Sequence, residues 1–124
     1  MELRSAMIFV KDIDRMTAFY RDGLGLRVLP ETAREGWVEL SAGSSSLALH
    51  AIPPEIAERI EITDPPRQRA DTPIKLVFET PDLDGARAHL MLHGAVMHEP
   101  RSSGSCDGLD PEGNVFNVVP AEAK

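Results

Sequence analysis

The chain carries an internal repeat. Shifted by 70 positions, Asp12-Ile13-Asp14 falls on Asp82-Leu83-Asp84, Ala18 on Ala88 and Leu26 on Val96. Each copy starts with an apolar, β-compatible run, Arg4 to Val10 in the first and Pro73 to Thr80 in the second. An acidic pair follows, placed to accept the orphan N–H groups of a helix N-terminus. Ile13, Met16, Phe19 and Tyr20 then recur at helical spacing, as do Leu83, Ala86 and Leu90. A unit of this size cannot bury its apolar face alone, so two copies imply two similar modules with sheets packed against helices.

The first helix ends at Gly23 and Gly25, which supply the backbone freedom of a chain reversal. Three short strands follow, at Leu26 to Pro30, Gly36 to Ser41 and Ser46 to His50, with "SAGSSS" turning the last two. In the second copy, Val96 to His98, a Ser/Gly-rich stretch and "DPEGNVFNVV" supply the remaining strands. The order is strand-helix-strand-strand-strand, twice. Between the copies, Ile52 to Pro73 holds five of the ten prolines. It reads as a connector with a short helix at Glu55 to Arg59. The modules are therefore expected at 1–51 and 73–120, joined by 52–72, in a single α+β domain 1–124.

At 124 residues, with 42% hydrophobic and 27% charged residues, the composition is that of a globular protein with a core of its own. The net charge of -7 repels phosphate backbones and argues against nucleic-acid binding. One cysteine, Cys106, excludes an intrachain disulfide. No window reaches the length of a membrane span, and the first apolar run is too short for a signal peptide. A cytoplasmic protein without membrane partners is expected.

The motifs "VKDIDRMTAFYRDGLGL", "TPDLDGARAHLMLHGA" and "DPEGNVFNVV", in this order and spacing, resemble the vicinal oxygen chelate superfamily, the glyoxalase/bleomycin-resistance/dioxygenase group. The resemblance covers nearly the whole chain apart from the connector. It implies βαβββ modules whose curved mixed sheets form a cup-shaped cavity with helices on the outer face. A homodimer is the expected state. Metal-dependent members place His or Gln, Glu, His and Glu on four strands, because a divalent ion needs converging N or O donors with open positions for substrate. Counted onto this chain, those positions fall on Ser5, Ala48, Lys75 and Asn117. Alanine has no donor atom, and a protonated lysine repels a divalent cation. The resemblance thus implies a cup without its metal site and without another cofactor.

Strand alternation extends the cup lining to Met7, Phe9, Trp37, Glu39, His50, Val77, Glu79, Val115 and Val119. Ile8, Val10, Val38, Leu40, Leu47, Leu49, Leu76, Phe78, Phe116 and Val118 are left to the core. An apolar hollow with a few polar groups is the usual make-up of a small-molecule site. Lys75 is suited to a ligand carboxylate, enolate or phenolate. Equally, it can pair with Glu39, with Glu79 or with an acid of a partner chain. His50 has the plainer account of a strand-end residue. His89 and His93 stand four apart on a helix without a third ligand, as on any solvated face. Cys106 lacks a base, and Asp110 to Gly113 form a turn.

Three functions follow as expectations. The first is a metal-independent protein that holds an aromatic or anionic small molecule, with no catalytic residue. The second is a metal-dependent glyoxalase-like lyase or isomerase, or a dioxygenase. The third is a non-catalytic dimeric interaction protein.

Overall fold

A computed structural model of the chain describes residues 1–69 and 74–121. The chain divides into two compact units, the first Met1–Glu61 and the second beginning at Ile62. Each unit is built on one four-stranded mixed sheet with the same topology.

In the first unit β1 (Ser5–Val10) leads into α1 (Ile13–Ala18). The Asp12 carboxylate caps that helix, accepting from Arg15 N at 3.1 Å. A π-helical turn, Phe19–Gly23, extends it and buries Phe19 and Tyr20, whose rings meet edge to face with centroids 5.1 Å apart. Then come β2 (Arg27–Arg34), β3 (Trp37–Ala42) and β4 (Ser45–Ala51). The sheet order is β1-β4-β3-β2, with β1 and β4 parallel and the other pairs antiparallel. A short helix, α2 (Pro54–Ala57), closes the unit, and Lys11 Nζ donates to the carbonyl of Ile60.

The second unit repeats this plan with β5 (Leu76–Thr80), α3 (Leu83–Leu92), β6 (Val96–Met97), β7 (Cys106–Leu109) and β8 (Val115–Pro120). Asp82 caps α3 as Asp12 caps α1, accepting from Gly85 N at 3.0 Å. The order is β5-β8-β7-β6, and β5 runs parallel to β8. The fold is thus α+β with two βαβββ-like modules, as the repeat implies.

Alternation sorts the core as expected for most positions. Val10, Val38, Leu40, Leu47, Leu49, Phe116 and Val118 are buried. Ile8, Leu76 and Phe78 are only half-buried. Several boundaries differ from the sequence expectation. β2 runs on to Arg34, because it continues as the outer arm of a hairpin whose Arg34 pairs with Trp37. The short helix starts at Pro54, where a proline in the first turn has no N–H to leave unpaired, and ends at Ala57 and not at Arg59. The described part of β5 starts at Leu76, and Pro73 lies outside the described residues. The first ten residues after Ala51 belong to the first unit, whereas Arg67 packs against the turn at Gly113 in the second.

That turn is tightly specified. Buried Asp110 accepts from Glu112 N at 3.0 Å and Asn114 N at 2.9 Å through Oδ1, and from the Asn114 amide through both oxygens. Gly113 has φ +85°, and a Cβ there would land on the Arg67 carbonyl oxygen. Gly43, in the β3–β4 hairpin, also has positive φ (+78°) but has open space around it. Gly113→Ala is therefore expected to destabilise by about 2–3 kcal/mol, combining left-handed strain with displaced backbone. Gly43→Ala, which meets the strain alone, is expected to cost about 1 kcal/mol. Urea unfolding of the two variants at constant m-value measures the difference.

Candidate functional site

Register lines up the expected site residues in rows across the first sheet. Phe9 pairs with His50, His50 with Trp37, and Trp37 with Arg34. The rings follow that row: Phe9–His50 centroids are 5.4 Å apart and Trp37–His50 5.5 Å, and the Arg34 guanidinium carbon stands 5.2 Å from the Trp37 ring centroid. This is a continuous π row ended by a cation, an arrangement in which ring faces attract positive charge. The next row runs Met7, Ala48, Glu39. Ser5 pairs with Ser46 in the third. Phe9 is 52% exposed and Met7 43%, so this face presents large apolar side chains to solvent.

Within the second row Glu39 is only 9% exposed. Its carboxylate accepts one hydrogen bond, 3.3 Å from Trp37 Nε1, while its backbone N–H donates to Thr32 Oγ1 at 3.1 Å. No cationic side chain among the described residues forms an ion pair with it.

The second sheet carries a different chemistry. Val77, Asn117 and Asp107 form a row on β5, β8 and β7. Val77 is exposed, Asn117 buried, and Glu79 and Val119 pair one row further on. Lys75, just before β5, reaches both Asp107 oxygens, at 3.2 Å and 3.1 Å. Asn117 Nδ2 donates to Asp107 Oδ1 at 2.8 Å, and Arg101 donates to Oδ2. Lys75 is thus paired with neither Glu39 nor Glu79, the partners within the chain that the sequence offered, because Asp107 lies across the sheet on the adjoining row. The hydrogen bond from Arg101, followed by those from Asn117 and Lys75, holds the Asp107 carboxyl far below the usual carboxylate range, against the opposing effect of burial.

Asp107, Arg101 and Arg34 were not among the residues the sequence singled out for the site. Alternation from buried Cys106 would have put Asp107 on the Asn117 face once β7 was recognised as a strand. Arg101 lies outside any strand and shows no such signal. Cys106 itself points into the core, its thiol donating to the His98 carbonyl at 3.0 Å. The rings of His89 and His93 lie 4.5 Å apart on α3, and no group of three or more potential metal-binding His, Cys, Asp or Glu residues occurs among the described residues. A cleft of about 420 Å³ opens between α1 and the β2–β3 hairpin, lined by Ile13, Thr17, Arg21, Arg34 and Val38. Of the expected site residues it touches Trp37 alone.

The four positions at which the fold family's metal ligands are expected do not fit a divalent ion. Ala48 offers a methyl. Lys75 brings an ammonium already committed to Asp107, and the Asn117 amide donates to that same carboxylate. None of the four expected positions supplies the imidazole or carboxylate that such a metal site uses.

The sequence profile of the glyoxalase-like domain matches residues 5–119. Among solved structures, a glyoxalase/bleomycin resistance protein/dioxygenase family enzyme from Burkholderia phytofirmans superposes with a TM-score of 0.76 at 20% identity, over 98% of this chain and 100% of that one. A protein of unknown function from Agrobacterium tumefaciens gives 0.70 at 28% identity, over 98% and 95%. An antibiotic-binding protein from a Streptomyces species gives 0.69 at 20% identity, over 98% and 97%. No protein of curated function matches the chain.

The depressed Asp107 carboxyl carries a pH signature. A carboxyl with a lowered folded-state pKa stabilises fully above its unfolded value, about 3.9, and loses that contribution as pH falls toward the folded value. Asp107→Asn is therefore expected to melt several degrees below the parent at pH 7, with the gap closing progressively below about pH 4. Thermal melts of both proteins from pH 7 to pH 2.5 check this; a gap independent of pH would show that packing, not charge, made the difference.

Proposed function

This chain belongs to the glyoxalase-like domain family, and we propose that within it the protein is a metal-independent binder of an aromatic or anionic small molecule. The observation that carries the reading is the Lys75–Asp107–Asn117 cluster. It fills two of the four expected ligand positions with groups already satisfied by one another, while a third holds the methyl of Ala48. Each of the two sheet faces keeps residues suited to binding. Phe9, Met7 and Val77 expose apolar surface; Trp37, His50 and Arg34 supply stacking faces and charge. Ser5, Glu39, Lys75 and Asn117 supply polar points of selection. Aromatic side chains give large contact area at little rotamer cost, which suits a site that holds a ligand without transforming it.

That a solved relative in fold is an antibiotic-binding protein supports this class. Another, a glyoxalase/bleomycin resistance protein/dioxygenase family enzyme, marks what the proposal departs from, since glyoxalase-like lyases and dioxygenases use a bound metal ion that the expected ligand positions here do not suit. The working form is proposed to be a homodimer.

Two measurements test the reading. Protein purified without chelators is expected to contain well under one equivalent of Zn, Ni, Mn or Fe, and added metal is expected to leave the melting temperature unchanged. A panel of aromatic and anionic metabolites is expected to contain at least one compound that raises it, by on the order of 10 °C at a hundredfold excess over Kd. Stoichiometric metal would overturn the proposal, and so would a panel without a stabilising ligand.

A further inference from the structure

Glu39 is the least accommodated charge in the first unit. It sits on β3, where its neighbours across the sheet are Leu29 and Ala48, neither of which can hydrogen-bond through its side chain. It is nine-tenths buried, yet receives a single long hydrogen bond from Trp37 and no ion pair among the described residues. Among the described residues no buried side-chain oxygen lacks a hydrogen-bond partner, so the Glu39 oxygen that Trp37 does not bond is the one that still reaches solvent. A cation arriving there would meet a carboxylate with no counter-charge of its own. Arg34 lies over the ring of the same Trp37 and makes no ion pair with Glu39. His50 lies with its ring against Phe9 and Trp37.

The surroundings of Glu39 specify what would complete it. Trp37 offers a ring within two residues on the same strand face, and Met7 and Phe9, from the two nearest rows of β1, are about half exposed. Ring faces and a carboxylate together favour a positive charge carried on an apolar body: the rings attract the cation and bury its hydrocarbon part, while the carboxylate neutralises it. The same carboxylate repels an anion and gives a neutral molecule only a hydrogen bond.

Resting on the small-molecule reading above, we propose that Glu39 is the charge-selecting residue of the first sheet face, and that this face takes a planar aromatic molecule bearing a protonated amine. This narrows the ligand class. In the acid–base cluster of the second unit, Asp107 already meets both cations, Lys75 and Arg101, and in the first unit Arg34 is stacked on the Trp37 ring.

The chain has a single tryptophan, so a ¹H–¹⁵N spectrum holds one indole resonance, and that N–H is the one bonded to Glu39. Three probes sharing one ring are titrated against that resonance: 2-naphthylmethylammonium, 2-naphthylmethanol and 2-naphthoate. The ammonium compound is expected to shift it saturably with at least tenfold tighter binding than the alcohol, and the carboxylate is expected not to shift it. In Glu39→Gln, which keeps size and hydrogen-bonding capacity, the ammonium-to-alcohol ratio is expected to fall to about one. Equal binding of ammonium and alcohol to the unaltered protein overturns the inference whether or not the variant folds, and so does a ratio that survives the substitution. Binding of the naphthoate that is lost in Lys75→Ala also overturns it, while leaving the small-molecule reading intact. If no probe binds, the inference falls, and the metabolite thermal-shift panel shows whether that reading has fallen with it.

Discussion

In each unit the strand that opens the module hydrogen-bonds in parallel with the strand that closes it, β1 with β4 and β5 with β8. Parallel neighbours cannot be joined by a tight turn, so the helix and two further strands must lie between them in sequence. That single pairing therefore decides which elements flank which. It also fixes register, and because side chains alternate with a period of two, a slip by one residue would carry Leu47 and Leu49 out of the core and drive His50 into it. The rows on both sheet faces exist only because this register is held by apolar burial on the opposite side, where Val10, Leu40, Leu49, Phe116 and Val118 are all but inaccessible.

The two sheets are alike in topology and unlike in chemistry. The first presents a row of rings, Phe9, His50 and Trp37, closed by Arg34, with a lone carboxylate in the next row. The second gathers a lysine, an arginine and an amide around Asp107. Duplication explains the shared scaffold, since both helices begin with the same Asp cap and both sheets have the same strand order. It does not constrain what alternate positions carry, because a side chain on the open face contributes little to closing the module. Divergence there costs the fold little, which is why a fold shared at about one residue in five with other proteins leaves the ligand undetermined.

Charge in this molecule is handled in two contrasting ways. Asp107 is surrounded by donors, so its ionised form is strongly favoured and the cluster is internally complete. Glu39 is the more buried of the two and accepts only an indole N–H. A fully satisfied cluster rigidifies and specifies a surface, which a carboxylate with one donor does not. The same distinction separates Lys75 from a free lysine, since its charge already faces Asp107 and only its remaining N–H is left for another acceptor.

The repeat alone determined that there are two modules, that each runs strand-helix-strand-strand-strand, and most of the residues that enter the core, because the 3.6- and 2-residue periods of burial are written directly in the order of apolar side chains. It also placed Trp37, Glu39, His50, Phe9 and Met7 on one face by parity. What it could not contain was the alignment of one strand against another. Asp107 and Asn117 are ten residues apart, Lys75 and Asp107 thirty-two, and no local pattern links them; only strand pairing brings them within hydrogen-bond reach. Likewise the isolation of Glu39 follows from what stands beside it across the sheet, Leu29 and Ala48, and such adjacency is a property of tertiary register that a linear order of residues does not express.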